Sequence, residues 1–487
     1  MVPAIRMTND PKREQDGPLP YDDSDTESIL RYAARLTGMT LNDLVSKGEI
    51  VIGDTHSKGR FGQIVEEVYF RIPNNSLPEP DFRKVGMELK VAPMRSNGKD
   101  LVSKERMVLG IINYDEVPEK GFDTFLEKGS HILIVFYHWT ESTDVYSYRV
   151  LKVVDWRPTE EELRLILEDW RVIEGYILRG EADLLSERHT RYLAANTKGA
   201  GHGRDQRSQP FSDRPAKQRS LSFKAPFMTA LYHSHVDVNE ILVDQPDRAE
   251  EDDSDTIFRG VWSEDQTFEE YVLSRFDRFV GRTCLEIEGM LDLDLNESSK
   301  QYYYTLTLAM LDVRGKKHVR EFDEAGIMVK TVRVRLDGRP KESMSFPAFK
   351  YEELVGQTWE TSDFRSQIDH EFLIPVFQFT SADPATEARK DLRFMGAFFW
   401  YVPDEDFKVI QKVWEDTRDK VDRGDFDHFV KSSDRRIAHV RPHGRNKMDT
   451  YPFRGGHYTK RCFWLNDSYI RGVVRENLGR RSGKKGR

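Results

Sequence analysis

An internal repeat constrains this 487-residue chain more than any other feature, because both copies of a repeated segment are expected to adopt one fold. The segment DFRKVGMELKVAP around Gly86 matches EFDEAGIMVKTVR around Gly326, with Lys90 and Lys330 in register. Further matches follow in the same order in both halves: SKERM at 103–107 with PKESM at 340–344, Tyr114 with Tyr351, HILIVFY at 131–137 with FLIPVFQ at 372–378, Trp170 and Gly180 with Trp414 and Gly424, and SFKAPFMTALY at 222–232 with WLNDSYIRGVV at 464–474. The repeat predicts two domains of the same fold.

The domain boundaries follow from composition. A chain of this length exceeds what one hydrophobic core usually serves. We expect a disordered polar tail at 1–23, a first domain at 24–240, an acidic linker at 241–255 and a second domain at 256–487 that ends in a basic tail. Each copy runs helix, hairpin-like strands, a fully apolar strand and a long helix, which predicts an α/β (α+β) fold with a mixed sheet.

Composition excludes several classes of protein. The sequence has no run of 18 apolar residues and no signal-peptide pattern at its start, so we expect a cytoplasmic protein without a membrane partner. Its two cysteines, Cys284 and Cys462, lie far apart and outside any C-x-x-C pattern, which argues against a disulfide framework or a cysteine zinc site.

The charge distribution indicates a nucleic-acid partner, although the net charge is −9. Residues 431–487 carry 16 Lys or Arg against 4 Asp or Glu, and residues 191–224 carry 8 against 2. Basic stretches of this kind neutralise backbone phosphates and gain affinity by releasing counterions. The alternative is that they only aid solubility, and we favour that interpretation for the last seven residues.

The strongest chemical motif is Asp81 followed by Glu88-x-Lys90. Residues 85–91 alternate apolar and polar side chains as a half-buried strand does, so Glu88 and Lys90 share one face. A tight turn would bring Asp81 back beside Glu88. Two carboxylates suffice for Mg²⁺ while it bridges a substrate phosphate, and the carbonyl of Leu89 would complete the ligand set. The alternative is chance, since this pattern is common in charged chains.

Two more side chains are candidates for the same site. The stretch KGRFGQIVE, from Lys58 to Glu66, reads as a glycine-rich entry into an amphipathic helix, which would place Glu66 near the metal as a third acid. Lys128 stands just before the apolar strand, where it would reach phosphate. The alternatives are a solvated helix charge and an ordinary surface lysine.

Taken together, these motifs resemble the MutH branch of the PD-(D/E)xK nucleases. SKERMVLGIINY, YLAANTKGAG and the repeated second half are more similar to the two-domain Sau-type restriction endonucleases, which cut GATC. The resemblance implies two tandem restriction-endonuclease-like domains, each a mixed sheet flanked by helices, that form a pseudo-dimer. It also implies that Asp81, Glu88 and Lys90 are catalytic, with Glu66 and Lys128 assisting.

The same resemblance implies a base-reading loop. Asn196, Thr197 and Lys198 stand where MutH carries Arg-Pro-Lys, and Lys58 would join them as a DNA contact. A lysine there would donate to guanine in the major groove. Ser222 replaces a MutH tyrosine that is implicated in sensing adenine methylation, which puts that route of sensing in doubt.

The second copy has lost the catalytic pattern. Asp81 becomes Glu321, Glu88 becomes Met328 and Lys128 becomes approximately Asp369. Because a soft thioether does not replace a carboxylate on Mg²⁺, this copy should not cut. Arg441, Pro442 and His443 fall at the expected base-reading loop, with Arg445 and Lys447 as phosphate contacts. A purely structural copy is the alternative.

The sequence therefore predicts a site-specific type II restriction endonuclease with Mg²⁺ as cofactor. Its substrate would be double-stranded DNA at a short palindrome, GATC by resemblance, with one site per lobe and the second acting as an allosteric effector site. With one metal centre per chain, cutting both strands would need two chains or two successive encounters, which predicts a transient homodimer on DNA or looping between two sites. The alternatives are a MutH-like mismatch-repair nickase that depends on partner proteins and a non-catalytic two-domain DNA-binding protein.

Overall fold

A computed structural model describes residues 18–47, 59–73, 79–141, 144–198, 205–243, 255–258, 262–263, 265–446 and 448–484. The chain divides into two compact units, Met1–Glu250 and Glu251–Arg487, here called the first lobe and the second lobe. Most of the predicted tail and linker, at 1–17 and 244–254, lies outside the described residues, as do Lys58 and Lys447. Within the described residues, no helix combines the length and apolarity that crossing a membrane requires.

The first lobe alternates helices with strands. Its helices are α1 Thr26–Ala34, α2 Leu41–Ser46, α3 Arg60–Gln63, a π-helical turn Ile64–Tyr69, α4 Val117–Lys120, α5 Asp123–Gly129, α6 Glu160–Leu178, α7 Ala225–Ser234 and α8 Val238–Val243, with 3₁₀ turns at Val145–Ser147, Ala182–Leu184 and Glu187–His189. Its strands are β1 Glu88–Asn97, β2 Asp100–Ser103, β3 Met107–Ile111, β4 Ile132–His138, β5 Arg149–Trp156, β6 Leu193–Thr197, β7 Gln206–Gln209, β8 Ser212–Lys217 and β9 Arg219–Phe223.

The second lobe has the same order of main elements. Its helices are α9 Phe268–Phe276, α10 Cys284–Leu291, α11 Tyr302–Met310, α12 Arg320–Ala325, α13 Tyr351–Gly356, α14 Asp363–Ile368, α15 Asp404–Asp422 and α16 Asp467–Lys484, with 3₁₀ turns at Asp277–Phe279, Trp359–Thr361, Arg389–Asp391 and Ser432–Asp434. Its strands are β10 Ile327–Val329, β11 Val332–Val334, β12 Met344–Phe349, β13 Glu371–Gln378, β14 Arg393–Trp400, β15 Ala438–Pro442, β16 Thr450–Phe453, β17 Gly456–Thr459 and β18 Arg461–Leu465.

Each lobe contains the predicted mixed sheet. In the first lobe, the strand order is β2-β1-β4-β5, with β1 parallel to β4 and the outer pairs antiparallel. In the second lobe, β13 pairs in parallel with β10 and β11 and antiparallel with β14. A smaller antiparallel sheet accompanies each, β3-β9-β6 in the first lobe and β12-β18-β15 in the second. The prediction of two tandem α/β lobes of one fold is confirmed.

Equivalent hydrogen bonds show that the repeat is structural. The Tyr114 hydroxyl donates to the Lys217 carbonyl at 2.6 Å, and the Tyr351 hydroxyl donates to the Thr459 carbonyl at 2.5 Å. In both lobes, the acceptor lies just before the central strand of the smaller sheet. One of the sequence matches is shifted by a residue.

The shift concerns the central apolar strand. Glu88 pairs with Ile132 and Met328 pairs with Phe372, so Ile132, not His131, corresponds to Phe372. Counting back without a gap, Lys128 corresponds to Ile368 rather than to Asp369. Apolar strands that are fully buried lack the alternation that would fix such a register from sequence.

Asp169 fixes the long helix α6 to strand β6 in the first lobe. This buried carboxylate accepts the backbone N–H groups of Arg191 at 2.7 Å, Tyr192 at 2.6 Å and Leu193 at 2.9 Å. A buried anion needs partners of this kind, and the three bonds set the start of β6.

Replacing Asp169 with Ala should destabilise the first lobe by roughly 3 kcal/mol or more, because three backbone donors lose their acceptor. Urea unfolding followed by circular dichroism measures the change. Asp213→Ala, at an exposed position in the same lobe, is the matched control and should stay within about 0.5 kcal/mol of the parent chain. Equal stability of the two variants would contradict this role for Asp169.

Candidate active site

A tight turn before strand β1 brings Asp81 back along the chain. The Phe82 N–H donates to the Met87 carbonyl at 2.8 Å, and Gly86 in this turn has a φ of 65°, which glycine adopts without strain. The Asp81 Oδ2 then accepts the backbone N–H of Leu89 at 2.9 Å. The structure thus places Asp81 beside the first residues of β1, as the sequence predicted.

Glu88 lies at the centre of a cluster of charged side chains. It is the first residue of β1, only 1 % exposed, and its Oε1 accepts hydrogen bonds from Lys90 Nζ and, at 3.2 Å, from Lys128 Nζ. Lys128 reaches it from the C-terminal end of α5. The two ammonium groups compensate much of the cost of burying this carboxylate. The structure therefore brings Asp81, Glu88, Lys90 and Lys128 together.

The other carboxylate oxygen of Glu88 differs from Oε1 in its hydrogen bonding. Oε2 is buried and has no hydrogen-bond partner among the described residues. An unpartnered buried anionic oxygen is costly unless a ligand completes its surroundings. This oxygen marks the position at which a cation or a donor from a substrate fits.

Glu66 approaches the same cluster from a π-helical turn. π-helical turns are uncommon and occur frequently at functional sites. Burial raises the pKa of Glu66 above its ordinary value of 4.5, and the charge of Asp81 adds to the rise. Burial also raises the pKa of Asp81 above 3.8, with the charge of Glu88 as the next cause. Repulsion between Asp81 and Glu88 favours a cation that both carboxylates contact.

The residues present fit a hard divalent cation. Among the described residues, no three side chains of His, Cys, Asp or Glu are grouped closely enough to hold a metal by themselves. Mg²⁺, however, is commonly held by one or two carboxylates together with water and substrate phosphate. Glu88, through its unpartnered Oε2, and Asp81, through the oxygen not bonded to Leu89, offer that minimal set.

The predicted base-reading residues of the first lobe end strand β6. Asn196 is buried, and its Oδ1 accepts hydrogen bonds from the hydroxyls of Ser220 at 3.0 Å and Ser222 at 2.5 Å. Thr197 is exposed, and the half-buried Lys198 donates its backbone N–H to the Gln218 carbonyl at 2.9 Å. The base-reading role of these residues stays a prediction.

In the second lobe, the corresponding residues end strand β15. Arg441 pairs with Cys462 across the sheet, as Asn196 pairs with Ser220. His443 is exposed, and Arg445 forms an ion pair with Asp449 at 3.6 Å. The partial neutralisation of Arg445 by Asp449 reduces the charge that it offers to a phosphate.

The second lobe differs from the first-lobe cluster in its backbone as well as in its side chains. Lys330 donates its backbone N–H to the Leu373 carbonyl at 2.9 Å. From Leu373 onward, every second residue of β13 therefore turns its backbone N–H and C=O groups toward β10 and β11, and the next such residue is Pro375. Because proline has no N–H to donate, the strand that pairs with β13 is interrupted here: β10 ends at Val329 and β11 begins at Val332.

The equivalent side chains serve other purposes. Glu321 is buried and accepts hydrogen bonds from the Thr256 hydroxyl and, at 3.2 Å, from the Ile257 N–H. Lys330 donates to the Ser345 carbonyl at 3.1 Å, and burial lowers its pKa. Met328 supplies no carboxylate. That this lobe does not cut stays a prediction.

Sequence reasoning missed the contacts that hold strand β6 and the Asn196 side chain in place. Asp169 sets the start of β6, and Ser220 and Ser222 hold the Asn196 amide. The sequence carries no periodic or motif signal for these contacts, because their partners lie 22 to 26 residues away on other elements.

Comparison with known proteins places the chain in a family. The profile of the family described as DNA mismatch repair enzyme MutH matches twice, at residues 70–169 and 313–412. The type II restriction enzyme Sau3AI of Staphylococcus aureus is 31% identical over 479 residues, which cover 87% of this chain and 93% of that enzyme. The DNA mismatch repair protein MutH of Shewanella woodyi is 29% identical over 37% of this chain and 78% of its own length. The protein of the same name from Escherichia coli is 28% identical over 43% of this chain and 92% of its own length.

Divalent-cation affinity should fall as the pH is lowered, and it should start to fall above the ordinary aspartate pKa of 3.8. The pKa values of Asp81 and Glu66 are raised, so these groups take up protons at a higher pH than exposed carboxylates do, and a protonated carboxyl does not bind the cation. Calorimetric titration with MgCl₂ or MnCl₂ at a series of pH values measures this.

In Asp81→Asn, binding should be weaker and its pH dependence flatter. Asp213→Ala, at the exposed position used above, should retain the parental curve. A cation affinity that stays constant down to the pKa of an exposed aspartate would contradict the assignment.

Proposed function

The chain belongs to the family that joins MutH with the Sau-type restriction endonucleases, and from that premise we propose that it is a type II restriction endonuclease whose first lobe hydrolyses phosphodiester bonds of double-stranded DNA. The observation that supports this most directly is the buried Glu88 between Lys90 and Lys128, with Asp81 beside it. The second lobe has a methionine, Met328, at the position of Glu88. A pure DNA-binding protein would have no use for the intact cluster in one lobe.

The residues of the first lobe divide the chemistry among them. Asp81 and Glu88 would hold Mg²⁺, which when bound polarises the scissile phosphate and lowers the pKa of a water. Lys90 and Lys128 place two ammonium groups beside the same carboxylate, where they neutralise charge that develops on the phosphate. Glu66, whose charge interacts with those of Asp81 and Lys90, would orient solvent near the cation. The buried apolar strand β4, which pairs with β1 beside Glu88, limits the access of bulk water to this carboxylate.

The second lobe acts as an effector site that binds another copy of the target. Its basic stretch at 431–487 and the residues Arg441 and His443 at the end of β15 support this role. We propose GATC as the target, a specificity that rests on the family resemblance. Because the first lobe carries one catalytic centre, cutting both strands requires two chains on DNA or two successive encounters.

Glu88→Gln should reduce cleavage of a GATC plasmid at least about 10²-fold, because the amide keeps the volume but removes the negative charge. Agarose electrophoresis of plasmid in the presence of Mg²⁺ measures the rate. Met328→Leu, at the same strand position of the second lobe, is the matched control and should cut at the parental rate. Cleavage by Glu88→Gln at more than about a tenth of the parental rate would sink the proposal.

A plasmid with two GATC sites should be linearised faster than a plasmid with one, since two first lobes must act. Sedimentation of Glu88→Gln with a short GATC duplex should show a species of two chains that is absent without DNA. A chain that stays monomeric on DNA and cuts both strands in one encounter excludes the transient dimer. Nicked circles as the sole product, without partner proteins, favour a MutH-like nickase.

A further inference from the structure

The two lobes place different side chains at one equivalent position of their smaller sheets. In the first lobe, Asn196 pairs with Ser220, and Ala194 pairs with Ser222. In the second lobe, Arg441 pairs with Cys462, and His439 pairs with Trp464. The matched registers make Arg441 the counterpart of Asn196 and Trp464 the counterpart of Ser222.

In the first lobe, the neighbouring strand uses up the acceptor of the Asn196 side chain. Both serine hydroxyls, of Ser220 and Ser222, donate to Oδ1, and all three residues are buried. The amide is therefore fixed with its NH₂ group as the part left for a ligand. An amide that offers donors alone forgoes the donor-acceptor pair by which asparagine recognises adenine.

In the second lobe, the neighbouring strand supplies an aromatic face instead. The guanidinium carbon of Arg441 lies 4.1 Å from the centre of the Trp464 ring. His443 meets the same ring edge-on at 5.4 Å, and His439 is parallel to it at 6.5 Å. Trp464 itself is buried and held in the sheet. The stack restricts the orientations of the Arg441 side chain before any ligand binds.

Arg441 also keeps its charge available. Among the described residues, no carboxylate is hydrogen-bonded to its guanidinium or lies within ion-pair distance of it, in contrast to Arg445 and Arg454, which pair with Asp449 and Asp422. A planar fork of donors that is stacked on one face and not neutralised is suited to a bidentate contact with guanine O6 and N7.

We propose that Trp464 is a positioning residue that presents Arg441 to a guanine edge, and that the second lobe is for this reason the tighter and more discriminating of the two DNA-binding lobes. The inference rests on the proposed function, because it takes DNA as the ligand of both lobes. It adds that the non-cutting lobe is loaded first. The first lobe, with the donor-only amide of Asn196, binds when a second target is supplied.

A double-mutant cycle at Arg441 and Trp464 tests the inference. All variants are made in the full-length Glu88→Gln chain, so that DNA is bound without being cut, and fluorescence anisotropy measures the Kd of a 20-base-pair GATC duplex. A second duplex carries 7-deazaguanine in the site, which removes the N7 acceptor. Thermal melts confirm that each variant is folded.

Trp464→Leu and Arg441→Ala should each weaken the high-affinity binding about tenfold, and the double variant should be no weaker than either alone, since the tryptophan acts through the arginine. Both single variants should lose the discrimination against 7-deazaguanine. Trp464→Phe keeps an aromatic face and should stay within about threefold of the parent. Ser222→Ala, the matched change in the first lobe, should leave the high-affinity phase intact.

Other results overturn the inference in separable ways. Additive losses at Arg441 and Trp464, or unchanged discrimination in Trp464→Leu, show that the ring does not position the arginine. Loss of the high-affinity phase in Ser222→Ala shows that the first lobe is the tighter one. Should Trp464→Leu fail to fold, Arg441→Lys decides, because it keeps the charge but should lose the discrimination. If the parental chain cleaves plasmid but the variants show none of these effects, the inference alone is rejected. If no duplex is bound at all, the DNA-binding function is rejected as well.

Discussion

The burial of one carboxylate between two ammonium groups is the constraint on which the rest of the first lobe depends. Glu88 is nearly inaccessible to solvent, and such a group is tolerated when opposite charges and hydrogen bonds surround it. Lys90 comes from the same strand and Lys128 from the end of a helix, so the turn, the sheet and α5 must all be in place at once. Because Glu88 Oε2 has no hydrogen-bond partner among the described residues, a bound cation would stabilise it.

The second lobe has the same fold although it lacks the buried carboxylate. It keeps the parallel register of the central strands, the long helix and the tyrosine that fastens the smaller sheet. Met328 stands at the position of Glu88. The strand there is divided into β10 and β11, because Pro375 of β13 has no N–H with which to pair. Restoring a carboxylate at 328 alone would therefore not restore the catalytic geometry.

The smaller sheets of the two lobes hold the residue at one equivalent position in different ways. A hydroxyl pair fixes the Asn196 amide in the first lobe, whereas an indole face supports Arg441 in the second. Both arrangements restrict the side chain before any ligand binds, which lowers the entropic cost of a contact made by that side chain. They differ in the number of donors and in charge, which is the physical basis of the unequal affinity that we propose for the two lobes.

The sequence by itself determined the repeat and the fold of each lobe, because these depend on local alternation and on spacing. It placed Asp81, Glu88 and Lys90 together correctly, since a strand alternation and one turn are short-range features. It misjudged the register of the apolar strand by one residue, because a strand buried on both faces has no polar marks. Only the tertiary structure decided that Lys128 reaches Glu88, that Asp169 anchors β6 and that Arg441 stacks on Trp464. These contacts join residues of separate elements, and packing sets how closely such elements approach. No local sequence pattern records that approach.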